Sequence, residues 1–170
     1  ASRYITHMKK LKDPRESLLN FMKTMGNLKE KFGPILFQLP PWWHVNTERL
    51  ESFLAEVGEK RHFAFEFRDK SWFDERVYDL LREYNSALCI YDIGGDMSPE
   101  IVTAEYVYVR LHGPSVRSYQ GKYTNKHLRR WAEKFERWCG EGKTIYCFFD
   151  NDQRGYAVEN AMMLQEMCLK

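Results

Sequence analysis

A chain of 170 residues that is 44% hydrophobic and 15% aromatic is long and apolar enough to bury one core. No run of about 18 apolar residues occurs, which excludes a transmembrane helix and a membrane partner of that kind. A formal charge of +2 counts against a dedicated nucleic-acid binder, a class that is usually far more basic.

No secretory signal pattern opens the chain. Cys89, Cys139, Cys147 and Cys168 lack C-x-x-C spacing, and Cys89 and Cys147 lie within apolar strand-like runs. They read as free thiols of a reducing, cytoplasmic setting.

In chain order, Ser2-Arg3-Tyr4-Ile5-Thr6-His7 reads as the tail of a strand. Asp13-Pro14 then opens a helix, with Asp13 as N-cap, Pro14 at N1 and Glu16 at N3. Leu18, Leu19, Met22, Met25 and Leu28 carry it to about Phe32. Ile35 to Leu39 is a strand ended by Pro40-Pro41. Asn46 or Thr47 caps a helix whose face is Leu50, Phe53, Leu54 and Val57. His62 to Arg68 is a strand. Asp74 caps a helix bearing Val77, Leu80, Leu81 and Tyr84. Ala87 to Asp92 is a strand followed by a Gly94-Gly95 loop, and Tyr106 to His112 is another, stopped by Gly113-Pro114. Leu128, Trp131, Phe135 and Trp138 mark a helix with a core face. Thr144 to Asp150 is a strand, and a last helix runs from about Gly155 to Met167.

Strands and helices alternate, which predicts an α/β fold of βαβ units around a parallel sheet in one domain over residues 1–170. The lack of G-x-G-x-x-G after a first strand weakens a dinucleotide-binding version and leaves no cofactor assigned.

Period two sorts each strand into faces. Val107, Val109 and Leu111 oppose Tyr106, Tyr108, Arg110 and His112. Phe63, Phe65 and Phe67 oppose Ala64, Glu66 and Arg68. In the other strands Gln38, Asp92 and Asp150 close one face. Parallel strands bring these C-terminal ends to one rim, where α/β folds bind ligands. The expected ring is Gln38, Glu66, Arg68, Asp92, Arg110, His112 and Asp150.

Two readings of the ring stand. Arg68 and Arg110 clamp a phosphate or carboxylate, while Glu66, Asp92 and His112 serve as catalytic acid and base groups. Alternatively the charges form a structural ion-pair network. His7, His112, Glu66, Asp92 and Asp150 include metal-ligand types, but their spacing matches no recognised pattern and no metal is assigned. Trp42, Trp43 and Trp72 follow strand ends, so they line a pocket or cover the core. Asp150-Asn151-Asp152 does not continue as an EF-hand loop. Gly155 opens the last helix, whose N–H groups suit an anion. Lys9-Lys10-Lys12 and Arg129-Arg130 are short basic clusters of surface type.

Several segments together resemble the domain of unknown function 72 family, also called YecE-like. They are residues 2–7, Gly33-Pro34-Ile35-Leu36-Phe37-Gln38-Leu39-Pro40-Pro41, Glu66-Phe67-Arg68 with Ser71-Trp72-Phe73, and Tyr108 through Pro114. Tyr119, Gly121 and Tyr123 follow, then Phe149-Asp150-Asn151-Asp152 with Ala157, Asn160 and Ala161. Asp150 stands where the family more often has Asn. The resemblance implies a TIM-barrel-like fold of uncharacterised function; from the ring and the aromatics near the strand ends, the residues expected around a substrate are Gln38, Arg68, Trp72, Arg110, Tyr119, Tyr123, Asp150 and Asn151. It also implies an N-terminally truncated member, about two-thirds of a barrel with five parallel strands and the end of a sixth.

Three functions follow as expectations. The first is an enzyme of hydrolase or lyase type acting on a small anionic substrate. The second is a nucleic-acid-binding protein or phosphodiesterase. The third is a non-catalytic domain held by ion pairs. An incomplete barrel is also expected to expose a sheet edge at Thr144–Asp150. Leu36, Ala64, Tyr146 and Phe148 would then face a gap, and the chain would self-associate through that edge.

Overall fold

A computed structural model describes residues 1–31, 33–58, 61–116 and 119–169. The alternation of elements is as expected, with parallel strands joined by helical crossovers. The chain divides into two compact units, residues 1–88 and 89–170.

In the first unit, strands β1 (Ile35–Gln38) and β2 (Phe63–Glu66) pair in parallel, Ile35 with Phe63 through Gln38 with Glu66. Ala87 and Leu88, which begin β3 (Ala87–Ile93), pair with Ala64 and Phe65. The alternating phenylalanines face the helices. Phe37 packs edge-on to Phe53 of α2 (Thr47–Val57), with ring centroids 5.0 Å apart, and stacks on Phe65 at 5.4 Å. Helix α2 starts at Asn46, whose side chain accepts from the Arg49 N–H at 2.8 Å. Helix α3 (Glu75–Glu83) starts likewise at Asp74, which accepts from the Arg76 N–H. It buries Val77, Tyr78 and Leu81.

The first 31 residues depart from the sequence reading. Tyr4–Met8 is a π-helical turn, not a strand tail. Local bonds satisfy its backbone: the N–H groups of Ile5 and Thr6 meet the Ser2 carbonyl, and that of Lys9 meets the Tyr4 carbonyl. Asp13 precedes α1 (Pro14–Met25) but is left-handed, φ 41°, and its side chain makes no cap. Side-chain capping needs an extended N-cap backbone, which Asp13 lacks. The helix ends at Met25 and passes into a 3-10 segment, Gly26–Lys31; Phe32, the expected end, lies outside the described residues. Of its apolar stripe only Leu18 is buried.

In the second unit, Cys89–Asp92 of β3 pairs in parallel with β5 (Tyr106–Leu111), and β5 pairs along its whole length with β6 (Thr144–Phe149). A two-residue strand β4 (Asp96–Met97) turns back antiparallel on β3 after Gly94-Gly95, where only a loop was expected. Ile90, Val107, Val109 and Leu111 form one core with Leu128, Trp131, Phe135 and Trp138 of α4 (Asn125–Gly140) and Leu164 of α5 (Tyr156–Cys168).

Among the described residues β6 pairs only with β5, and β1 only with β2. Phe148 is accordingly 43% exposed, and Tyr146 and Leu36 are half-buried. Ala64 is fully buried, contrary to expectation, because β2 has a strand on each side. No helix among the described residues is long and apolar enough to cross a membrane.

Candidate functional site

Each unit carries part of the expected ring at the C-terminal ends of its strands. In the first, Gln38 lies opposite Glu66 in register. Glu66 is fully buried and ion-paired with Arg68, which satisfies the requirement that a buried carboxylate be paired. Trp72 is also fully buried. Its ring stacks on Phe67 at 4.8 Å and its indole N–H donates to the Trp43 carbonyl at 2.6 Å. Trp72 and Trp43 therefore cover the core, and Trp42 alone of the three is exposed.

In the second unit, the parity of β5 brings Arg110 and His112 to the side away from the α4 core. The Asp150 N–H donates to the Leu111 carbonyl at 2.8 Å, which extends the β5–β6 ladder by one residue and sets the carboxylate beside both groups. Asp150 Oδ2 lies 2.8 Å from Arg110 Nη2 and 3.4 Å from His112 Nδ1. The imidazole is fully buried, whereas the carboxylate is 27% exposed. The Tyr119 ring meets the imidazole edge-on, with centroids 5.3 Å apart, and its N–H donates to the His112 carbonyl.

Asp92 does not join this group. It shares a strand face with Ile90, and that face packs under α4. There the Asp92 carboxylate accepts from the Gly95 N–H at 3.1 Å and from the Tyr123 hydroxyl. Tyr123 is buried, and its hydroxyl also accepts from the Gly113 N–H at 3.0 Å. Burial and then the Asp92 charge push the phenol up, so it stays a neutral donor. Both faces of β3 are apolar in sequence, so period two alone did not choose between them.

Asn151 is buried one residue past Asp150. Its amide donates to the Gly121 carbonyl at 2.8 Å and to Asn160 Oδ1 at 3.0 Å. Asn160 in turn receives the Tyr123 N–H and donates to the Tyr123 carbonyl, both at 3.0 Å. Tyr123 and Asn151, expected at a substrate, thus hold the loop after β5 to the start of α5. Asn160 was legible in sequence only as a point of resemblance; a polar residue inside the last helix was its one signal. Gly113, at φ 107°, is a second requirement of this loop, since a Cβ there would sit 2.3 Å from the Gln120 carbonyl oxygen. Among the described residues no three His, Cys, Asp or Glu side chains gather as metal ligands.

The chain is 26% identical to a DUF72 family protein (TM1631) of Thermotoga maritima MSB8 whose crystal structure is known. The match covers 99% of this chain and 72% of that one, with a TM-score of 0.86. A DUF72 family protein (EF0366) of Enterococcus faecalis V583 shares the fold at 19% identity and a TM-score of 0.80, over 94% of this chain and 67% of that one. A UPF0759 protein, YunF, of Bacillus subtilis is 24% identical, in a match that covers 81% of this chain. The chain spans 58% of the length of that relative. The family model described as "Protein of unknown function DUF72" matches residues 1–170 from end to end, and the chain belongs to that family.

Proposed function

We propose that this DUF72 chain is an enzyme of hydrolase or lyase type that takes a small phosphate- or carboxylate-bearing substrate at the C-terminal ends of β5 and β6. The observation that carries this reading is the single carboxylate oxygen of Asp150 shared by Arg110 and His112. A guanidinium fork matches an oxyanion, so Arg110 orients the substrate. Exposure then divides the other two roles. Asp150 reaches solvent and acts as the acid/base group. His112 is fully buried, so it acts as a positioning residue behind Asp150. This assigns the proton transfer to Asp150 in place of Glu66 and Asp92, both of which are committed to internal partners.

A panel of phosphorylated and carboxylated metabolites tests the reading. Turnover of at least one compound should fall about a hundredfold in Arg110→Ala, the scale for removing one oriented donor. Equal turnover by wild type and variant would remove Arg110 from the reaction. The ion pairs themselves favour a second, structural reading. Under it, Arg110→Ala lowers the melting temperature and no compound in the panel is bound or turned over.

A further inference from the structure

Two open aromatic rings border the Arg110–Asp150 pair. Among the described residues of the second unit, Phe148 and Tyr119 carry the only exposed Phe, Tyr or Trp rings, at 43% and 49%. Each is tied to the pair from a different direction.

Phe148 reaches it through the sheet. In the parallel register of β5 and β6, Phe148 lies directly opposite Arg110. Residues opposite one another share a face of the sheet, and so do residues two apart on one strand. Phe148 therefore stands beside Arg110 and one pleat before Asp150. The Tyr108 ring, on the same face, stacks on Phe148 with centroids 5.0 Å apart and planes 28° apart. Tyr108 covers one side of the ring. The other side is open, because no strand pairs with β6 there among the described residues.

Tyr119 reaches the pair through His112. Its ring meets the imidazole edge-on at 5.3 Å, and His112 Nδ1 lies 3.4 Å from Asp150 Oδ2. The Tyr119 backbone is left-handed, φ 66°, a region that bulky residues seldom occupy. Bonds on both sides hold it there. The Tyr119 N–H donates to the His112 carbonyl at 2.6 Å, and the Gly121 N–H donates to Gln153 Oε1 at 3.0 Å. Backbone strain kept in this way is a feature of ligand clamps.

A guanidinium flanked by two open rings suits a ligand with both features. Arg110 takes the anion, and stacking on Phe148 needs a flat apolar body attached to it. A short aliphatic acid would leave both rings in water. Given that Arg110 binds the anion, as proposed for the function, we propose that the substrate is an aryl anion. It is a planar aromatic ring bearing a phosphate or carboxylate, lying on the open side of Phe148 and against Tyr119.

Calorimetric titration of the full chain tests this, at a concentration where the protein sediments as a monomer and β6 is open. Phenyl phosphate is compared with glycerol phosphate, and benzoate with acetate. In at least one pair the aryl member should bind about tenfold tighter, and Phe148→Leu should remove most of that preference. The preference is a ratio within one protein, so a change in stability does not enter it. Should Phe148→Leu fail to fold, Tyr119→Asn takes its place, since Asn tolerates the left-handed backbone. Equal affinities within both pairs, weakened by Arg110→Ala, would overturn the aryl proposal and leave the anion site standing. A preference that survives the substitution would overturn it as well. No binding of any probe would overturn both the proposal and the anion site.

Discussion

At the residue scale, the carboxylates differ in what they are bonded to, and that separates their expected roles. Asp150→Asn keeps an oxygen for Arg110 and His112 but cannot take a proton. Its turnover on any substrate found should fall by about 10² to 10⁴, with the melting temperature little changed, by the usual contribution of a general acid or base. Asp69 illustrates pH dependence. The Ser71 hydroxyl and then the Ser71 N–H stabilise its charged form and hold its pKa below the usual carboxylate value. A depressed folded-state pKa stabilises the protein above the unfolded value, and the gain is lost as pH falls through the folded one. Urea titrations from pH 6 to pH 2 should therefore show an acid-side loss that Asp69→Asn flattens; an unchanged slope would contradict the assignment. The thiols divide too. Cys139 and Cys168 are exposed and Cys89 is buried; burial pushes the Cys147 thiol up and, first among its causes, raises that of Cys168 as well. Iodoacetamide at neutral pH should modify Cys139 and Cys168 well before Cys89 and Cys147, as read by peptide mass mapping.

At the element scale, short-range chemistry accounts for helix starts and long-range bonds account for the loops. Asn46→Ala removes the side-chain acceptor for the Arg49 N–H at the start of α2 and should cost about 1 kcal/mol in urea unfolding. The loop after β5 depends instead on Asn160, more than thirty residues away in sequence. Asn160→Leu strands the buried N–H and carbonyl of Tyr123, at a cost of about 1–3 kcal/mol for each unsatisfied group. A loss no larger than that of Asn46→Ala would show that the loop is held by something else.

At the scale of the whole molecule, the exposed edge is the feature with a consequence. Thr144-Ile145-Tyr146-Cys147-Phe148-Phe149 holds no charge, no proline and no glycine, and one side of it has no strand among the described residues. Such an edge lacks the devices that keep strands from pairing with other chains. A second copy is the expected partner. Sedimentation should show association that grows with concentration, and Phe148→Lys should reduce it by placing a charge on the edge. A wild-type chain that stays monomeric at high concentration would contradict this.

The sequence by itself was enough for the alternation of strands and helices, the cap at Asp74, the cap of α2 to within Asn46 or Thr47, and the apolar faces of β2, β5 and α4. Each of these is set within a few residues, by periodicity or by a side chain bonding its own backbone. It also placed Arg110, His112 and Asp150 at strand ends, and the aliphatic face of β5 turns Arg110 and His112 away from the α4 core. Tertiary structure decided the rest. Which face of β3 lies under α4 depends on a neighbour, and so does the turning of Asp92 toward Tyr123. Residues 2–7 read as a strand by pattern, but a strand needs a partner for its backbone, and local bonds supplied a helical turn instead. The choice of Trp42 over Trp72 as the exposed ring rests on bonds spanning 26 and 29 residues, distances at which local pattern carries no information.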